Sequence, residues 1–315
     1  MVAHSPDDIA HAVLNTYASL NFRPPAGKFT ILASFALADA AGTLKVISLG
    51  TGSKCLPAMR LQGGGDALHD SHAEVIARRG AVRWLLEETG RAKSSTGGSP
   101  WLVDGRHGRL RLTDGVRVYF YVSTIPCGDA STRYLATFQD ADMAALKDSS
   151  VAPTPPLSGA ARGRDNYSLY GVLRTKPGRA DSPPTLCMSC SDKIASWNVV
   201  GIQGALAARL VDPVYIDNVV VGEVDDALRE TVREDCERAL WGRLSALEGS
   251  FCHLYCGETV AERCIQPESC LKLMGCTVRQ LASRLSPSCT PARCWGPPHP
   301  VTTVCAHRFP RGLPA

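Results

Sequence analysis

The segment Phe29-Thr-Ile-Leu-Ala-Ser-Phe-Ala-Leu-Ala38 is mainly apolar and contains β-branched and aromatic residues. A turn signal at Ala41-Gly42 follows it, and Leu44-Lys-Val-Ile-Ser-Leu49 then resumes the apolar pattern. Short apolar runs on either side of a turn are typical of buried strands. We therefore predict a hairpin of two buried strands near the start of the fold.

Strands and helices alternate along the rest of the chain. Strand-forming residues dominate Val116–Ser123 and Val214–Val221. Helical patterns mark four segments, which are Ala73–Glu88, Ala130–Phe138, Asp192–Leu210 and Asp225–Leu247. Loops rich in small residues and proline separate some of them, at Arg91–Pro100 and Asp148–Gly163. This alternation predicts a three-layer α/β domain.

Composition restricts the classes of function without choosing one. The 315 residues are 44% hydrophobic, which is enough for a sizeable core, and the net charge is +4. So mild a charge is no argument for nucleic-acid binding, which has to rest on local clusters. The first ten residues lack the pattern of a secretory signal, and no stretch reaches the ~20 apolar residues of a membrane span. We expect an intracellular chain, in cytoplasm or nucleus, with no membrane partner.

The cysteines divide the chain into two parts. Of 13 in total, eight lie between Cys252 and Cys305, where prolines are frequent and apolar periodicity largely stops. No Cys-x-x-Cys pair occurs there, as a typical structural zinc module would show, so we favour an altered C-terminal end, from splicing or a shifted frame, over such a module. We predict a functional domain over 1–250 and an atypical, irregular tail over 251–315.

The first chemical motif is Asp70-Ser-His-Ala-Glu-Val75. His-x-Glu is half of the signature of zinc-dependent deaminases, in which histidine binds metal and glutamate moves protons. The alternative is a capping box, because Ser71 and Glu74 have the spacing that satisfies two backbone N–H groups at a helix start. Positions two apart in a helix point about 200° from each other. His72 and Glu74 can therefore reach one cavity only from an irregular first turn.

The second motif follows the strand Val116–Ser123 as Thr124-Ile-Pro-Cys-Gly-Asp-Ala130. Pro-Cys is the next element of the same signature, and a helix N-terminus here favours the thiolate that zinc requires. As a lone feature, Cys127 would more often be a small buried residue. The usual signature continues as Pro-Cys-x-x-Cys, but Ala130 holds the last position, so a third ligand must come from elsewhere.

Two thiols compete for the third position, Cys187 and Cys190. Generic spacing rules do not choose between them. The pair is also spaced as a redox motif or half of a zinc knuckle, although neither a βαβ context nor a second nearby pair supports those readings.

Three motifs occur in order along the chain. They are Asp70-Ser-His-Ala-Glu-Val75, Pro126-Cys-Gly-Asp-Ala130, and Ser189-Cys-Ser-Asp-Lys-Ile194 followed by Trp197-Asn-Val-x-Gly-x-Gln-Gly-Ala205. Together they resemble the adenosine-to-inosine RNA editing deaminases, and the resemblance runs from about Phe22 to Glu248. It implies a cytidine-deaminase-like three-layer fold with a mixed central sheet and helices on both faces.

The resemblance also implies a reaction, the zinc-dependent hydrolytic deamination of adenosine to inosine in RNA. The zinc ligands would be His72, Cys127 and Cys190, and the catalytic residue Glu74. The alternatives are a deaminase of free nucleosides or cytosine, and a catalytically compromised isoform or RNA-binding pseudoenzyme.

The expected partner is tRNA, or another RNA with an unpaired adenosine, because a stacked adenine cannot reach a metal. Asp70-Ser71 and Leu173-Arg-Thr-Lys-Pro-Gly-Arg179 resemble the tRNA-acting branch of the family. Ser53 and Lys54 match positions that contact the sugar and phosphate of the target nucleotide. An ordinary turn with a solvated lysine is the alternative for these two residues.

Finally, the resemblance implies a buried inositol hexakisphosphate. Its cations would be Arg78, Arg79 and Lys193, with Asp70 and Lys176 between the polyanion and the metal. Unpaired buried charge costs several kcal/mol, so cations clustered inside a fold require an anion. The alternative is that the two arginines are exposed.

The chain departs from the family pattern around this polyanion. Ser196 stands where many members have another arginine. The family's C-terminal contacts have no match after about Phe251, and this difference underlies the alternative of a compromised isoform.

Overall fold

The computed structural model describes residues 4–22, 24, 28–61, 63–94, 97–138, 160–163, 169–176, 182–222, 224–244 and 304–306. Contacts group Met1–Gly242 with Thr302–Ala315 in one compact unit and Arg243–Val301 in another. Of the second unit the structure describes only Arg243 and Leu244. Across the described part of the chain, no helix has the length and apolar character needed to span a membrane. Most of the predicted tail, 251–315, lies outside the described residues.

The described helices include six α-helices, which are α1 (Pro6–Ser19), α2 (Ala73–Ala92), α3 (Thr132–Thr137), α4 (Cys190–Val200), α5 (Gly204–Ala207) and α6 (Arg229–Leu240). Short 3-10 turns lie at Ala58–Arg60, Arg106–Gly108, Asp129–Ser131, Asp226–Leu228 and Gly242–Leu244. Helix α1 was not predicted. Its start carries a capping box, in which Ser5 and Asp8 satisfy each other's backbone N–H groups, with Pro6 in the first turn.

The strands are β1 (Leu32–Ala38), β2 (Leu44–Thr51), β3 (Ser53–Cys55), β4 (Asp70–His72), β5 (Leu102–Asp104), β6 (Leu110–Leu112), β7 (Arg117–Val122), β8 (Ala160–Arg162), β9 (Leu173–Thr175), β10 (Asn218–Val221) and β11 (Val304–Ala306). The main sheet has the order β11-β10-β7-β1-β2. Pairing of β1 with β2 and β7 is antiparallel, whereas β10 is parallel to β7 and β11. The predicted mixed sheet and its leading hairpin are confirmed.

Strand β1 is buried along its whole length. Phe35 and Leu37 belong to the core that contains residues of α2, α4 and α6, while Leu32 and Ala36 pack with Ile9 and its neighbours in α1. Because helices cover both faces of the strand, its sequence is continuously apolar instead of alternating. The mixed α/β architecture therefore follows from the segment that predicted it.

One predicted helix is wrong as drawn. The segment Asp192–Leu210 breaks after α4, because Gly201 adopts a φ of 82°, which an L side chain rarely takes. The Gln203 amide donates to the Val200 carbonyl at 2.7 Å and accepts from the Val214 N–H at 3.0 Å. The break thus gives the chain a fixed corner between α4 and α5.

Other boundaries also moved. Helix α2 continues past Gly90, and the predicted strand Val214–Val221 shortens to β10. The region Asp225–Leu247 is α-helical only over α6, with 3-10 turns on either side. Residues 148–159 of the predicted second loop lie outside the described residues, while 160–162 form β8.

Candidate metal centre

His72 lies at a junction between two elements. It is the last residue of β4 and the N-cap of α2, with extended backbone angles of −65° and 142°. The cap makes no side-chain hydrogen bond, so the capping box proposed for Ser71 and Glu74 is not formed. Because His72 is extended and Glu74 is helical, the 200° separation expected within a helix does not apply to them. The irregular start that the motif required is present.

Glu74 is buried in the first turn of α2, with 2% of its surface exposed. Its Oε2 has no hydrogen-bond partner among the described residues. Burial, followed by the charge of Cys127, raises the pKa of the Glu74 carboxyl. A buried acid with a free oxygen and a raised pKa is suited to receiving and releasing a proton.

Three side chains from distant parts of the chain meet beside it. The Nδ1 of His72 is 3.6 Å from the Sγ of Cys190 and 3.9 Å from the Sγ of Cys127. All three potential ligand atoms lie within 4.8 Å of one another. This spacing would let one metal ion contact all three atoms, since Zn–N and Zn–S bonds are about 2.0–2.3 Å long.

The geometry separates the two thiols that the sequence left open. Cys190 is the first residue of α4, after the N-cap Ser189, and points to the cluster. The Cys187 thiol instead lies 3.5 Å from the carbonyl of His69, and it is not part of the cluster. Both cysteines are free thiols.

Lys176 supplies positive charge directly at the thiols. Only 2% of its surface is exposed, and its Nζ lies 3.1 Å from the Cys190 Sγ and 2.8 Å from the Asp70 Oδ2. Burial alone would lower the pKa of Lys176, but Cys127, Cys190 and Asp70 together raise it. A hydrogen bond from Cys190 holds the pKa of the Cys127 thiol well below its usual range. A neutral imidazole and thiols held next to a cation are a donor set that fits zinc.

A second group of possible ligand atoms, those of Cys55, Asp70 and His72, also lies within 4.8 Å. Asp70 is already ion-paired with both Lys176 and Lys193, which keep the pKa of its carboxyl low although burial opposes this. Burial also raises the pKa of the Cys55 thiol. A paired carboxylate and a protonated thiol make this group the poorer metal site.

The two predicted substrate contacts lie at the edge of the cluster. Ser53 and Lys54 are exposed in β3, and the register pairs Ser53 with His72 and Lys54 with Ser71. The segment is therefore a short strand beside the candidate ligand, and its contact with a nucleotide stays a prediction.

The three cations predicted to hold a polyanion have different surroundings. Arg78 stacks 5.4 Å above the Trp197 ring and donates to the Ile202 carbonyl at 2.9 Å. Arg79 is exposed, and Lys193 is ion-paired with Asp70. Within the described ranges these residues do not enclose a buried inositol hexakisphosphate, and the predicted C-terminal contacts lie outside those ranges. The polyanion stays a prediction, and no step is derived through it.

Several buried polar residues near the centre received no role from the sequence. Arg174 is fully buried; it donates to the Leu169 carbonyl at 2.8 Å, and its backbone N–H donates to Asp192 at 2.9 Å. Asp129 and Ser191 are also fully buried. All of them lie within the quoted motifs, and this position is the one signal that marked them.

The pairing of Lys176 with Asp70 leads to a test of stability. Lys176→Met should lower the free energy of unfolding by an amount toward the lower end of ~3–5 kcal/mol, because it deprives a buried carboxylate of its buried partner. Lys193→Met is the control; its side chain is 26% exposed and Asp70 keeps Lys176, so a loss of no more than ~1 kcal/mol is expected. Chemical denaturation measures both, and equal losses would contradict the assigned difference.

Comparison with known proteins agrees with the site. A family model described as the adenosine-deaminase (editase) domain matches residues 48–283, and so runs past the boundary predicted at 250. The tRNA-specific adenosine deaminase 1 of Saccharomyces cerevisiae is 32% identical over 273 residues, which cover 79% of this chain and 66% of the relative. Its Drosophila melanogaster counterpart is 35% identical over 245 residues, or 75% of this chain and 58% of the relative. The counterpart from Schizosaccharomyces pombe is 34% identical over 178 residues, or 56% and 44%.

This chain spans between 44% and 66% of the length of these relatives. The family model, by contrast, covers most of the chain and includes the three clustered ligands and Glu74. The chain therefore belongs to the adenosine-deaminase (editase) family.

Proposed function

We propose that this protein catalyses the zinc-dependent hydrolytic deamination of adenosine to inosine in RNA, with tRNA as the substrate, on a cytidine-deaminase-like fold. One observation carries the proposal. His72, Cys127 and Cys190 bring their ligand atoms within 4.8 Å of one another, next to a buried carboxylate, in a member of the editase family.

The three clustered residues would hold the zinc ion. One imidazole and two thiolates give a neutral site, and three protein ligands leave a tetrahedral ion one open position. Zinc bound there would activate water for attack on C6 of adenine. Lys176 favours the thiolate forms of Cys127 and Cys190 and so prepares both for the metal.

Glu74 is the proposed proton carrier. Its unpartnered Oε2 would take the proton from the attacking water, pass it to N1 of adenine and later protonate the leaving ammonia. A carboxylate suits this sequence because the same group acts first as base and then as acid. Burial, which raises the pKa of Glu74, brings the carboxyl closer to the range in which both states are accessible.

RNA, and tRNA in particular, is the substrate that the surroundings favour. The target base has to be unstacked before it can reach the metal, and loops such as those of tRNA offer such bases. The exposed Ser53 and Lys54, beside His72, are in position to contact the backbone of an incoming nucleotide. Relatives that match the chain over most of its length are named as tRNA-specific deaminases.

Incubation of the purified chain with unmodified tRNA, together with metal analysis, tests this function. We expect about one zinc per chain and the formation of inosine, detected by nucleoside mass spectrometry. Zinc without inosine would favour a non-catalytic RNA-binding protein. Inosine formed from free adenosine but not from tRNA would overturn the proposed substrate class.

A further inference from the structure

Ser191 follows the candidate ligand Cys190 in α4 and is fully buried. It lies against the loop that carries the other candidate thiol, Cys127, although the two segments are more than sixty residues apart. The sequence assigned Ser191 no role.

Ser191 makes three hydrogen bonds across this gap. Its Oγ donates to the Cys127 carbonyl at 2.9 Å, and its backbone N–H donates to the same oxygen at 3.0 Å. In return, the Ala130 N–H donates to the Ser191 Oγ at 3.2 Å. Because a hydroxyl is both donor and acceptor, one side chain binds the loop on both sides of Gly128.

The loop itself needs such support. Gly128 has a φ of 108°, and a Cβ built there would lie 2.1 Å from the Ser189 Oγ. Loop and helix are thus in direct contact at a position where glycine allows many backbone conformations. The bonds from Ser191 select one of them.

We propose that Ser191 is a positioning residue that fixes the separation of the Cys127 and Cys190 thiols and so sets the affinity of the metal centre. This inference rests on the proposed function, because it takes these two thiols as zinc ligands. Outer residues that orient the ligands of a metal commonly contribute ~10–100-fold to its affinity.

Alanine at position 191 removes the oxygen that serves both bonds. The Ala130 N–H, in a residue with no exposed surface, then loses its acceptor, and the Cys127 carbonyl keeps only the backbone bond. The loop can relieve the unpaired N–H by moving, and any such movement displaces the Cys127 Sγ relative to Cys190.

Ser131 offers a matched control in the same loop. It is also buried, and its Oγ donates to the carbonyl of Gly128 at 3.1 Å. This bond stays within one turn and does not connect the two thiol-bearing segments. Loss of a buried serine hydroxyl in general is thereby separated from loss of the link.

The experiment compares the full chain with Ser191→Ala, Ser191→Thr and Ser131→Ala. Zinc affinity is measured by competition with a chromophoric chelator, and the thiolate-to-metal bands of the cobalt-substituted proteins are recorded. We expect Ser191→Ala to bind zinc ~10–100-fold more weakly and to show shifted cobalt bands. Ser131→Ala, and Ser191→Thr with its hydroxyl retained, should match the parent protein.

Each other outcome overturns the inference. Unchanged zinc affinity in Ser191→Ala, or an equal loss in Ser131→Ala, would show that the link does not position the thiols. A Ser191→Ala chain that fails to fold without metal, as judged by circular dichroism, would show a purely structural role. If the parent protein itself binds no zinc, the proposed function fails, and this result is distinct from the others.

Discussion

Cys190→Ala is expected to abolish stoichiometric zinc binding and, with it, deamination. The Cys190 Sγ is one of three ligand atoms that meet at the centre, and removing it leaves only His72 and Cys127. Two protein ligands are too few for a stable tetrahedral site. The loss of affinity should therefore exceed the ~10–100-fold that an outer residue costs. Metal analysis after dialysis, together with the tRNA assay, measures both effects.

Cys187→Ala is the matched control for this variant. Cys187 is also a buried thiol and lies three positions away, but its Sγ faces the carbonyl of His69. The variant should retain zinc and most of the activity. Zinc retained in Cys190→Ala but lost in Cys187→Ala would show that the wrong thiol was assigned to the metal.

Glu74→Gln is expected to lower turnover by ~10²–10⁴-fold while zinc stays bound. The amide has nearly the shape of the carboxyl but cannot carry a proton between water and adenine. The three clustered ligand atoms do not include Glu74, so the metal should remain. Single-turnover rates on tRNA, with the zinc content of the same samples, test both parts, and Glu74→Ala should behave in the same way.

Glu88→Gln controls for the loss of a buried acid on the same helix. Glu88 is 3% exposed, but it pairs with Arg91 and accepts from Ser99 at the far end of α2. This variant should lose stability without the drop in the chemical step. If zinc is lost from Glu74→Gln, then Glu74 is a ligand and its role as proton carrier is wrong.

Much of the fold was predictable because its elements are local. The apolar run of β1, the turn at Gly42 and the resumed pattern of β2 identify a hairpin within twenty residues. The break after α4 was missed, since it depends on Gln203 reaching back to the Val200 carbonyl and out to the Val214 N–H. Helix propensity gives a glycine only a cost of ~1 kcal/mol, which does not say whether the helix ends there.

The amino-acid sequence by itself determined the chemical groups available and the family to which they point. The motifs around His72, Cys127 and Cys190 name an imidazole, two thiols and an acid, because those identities are written in the chain. Tertiary structure alone decided which thiol joins His72, 118 positions away, and that Lys176 lies against it. The physical reason is that packing, not spacing along the chain, sets distances between residues so far apart, and burial then sets their charge.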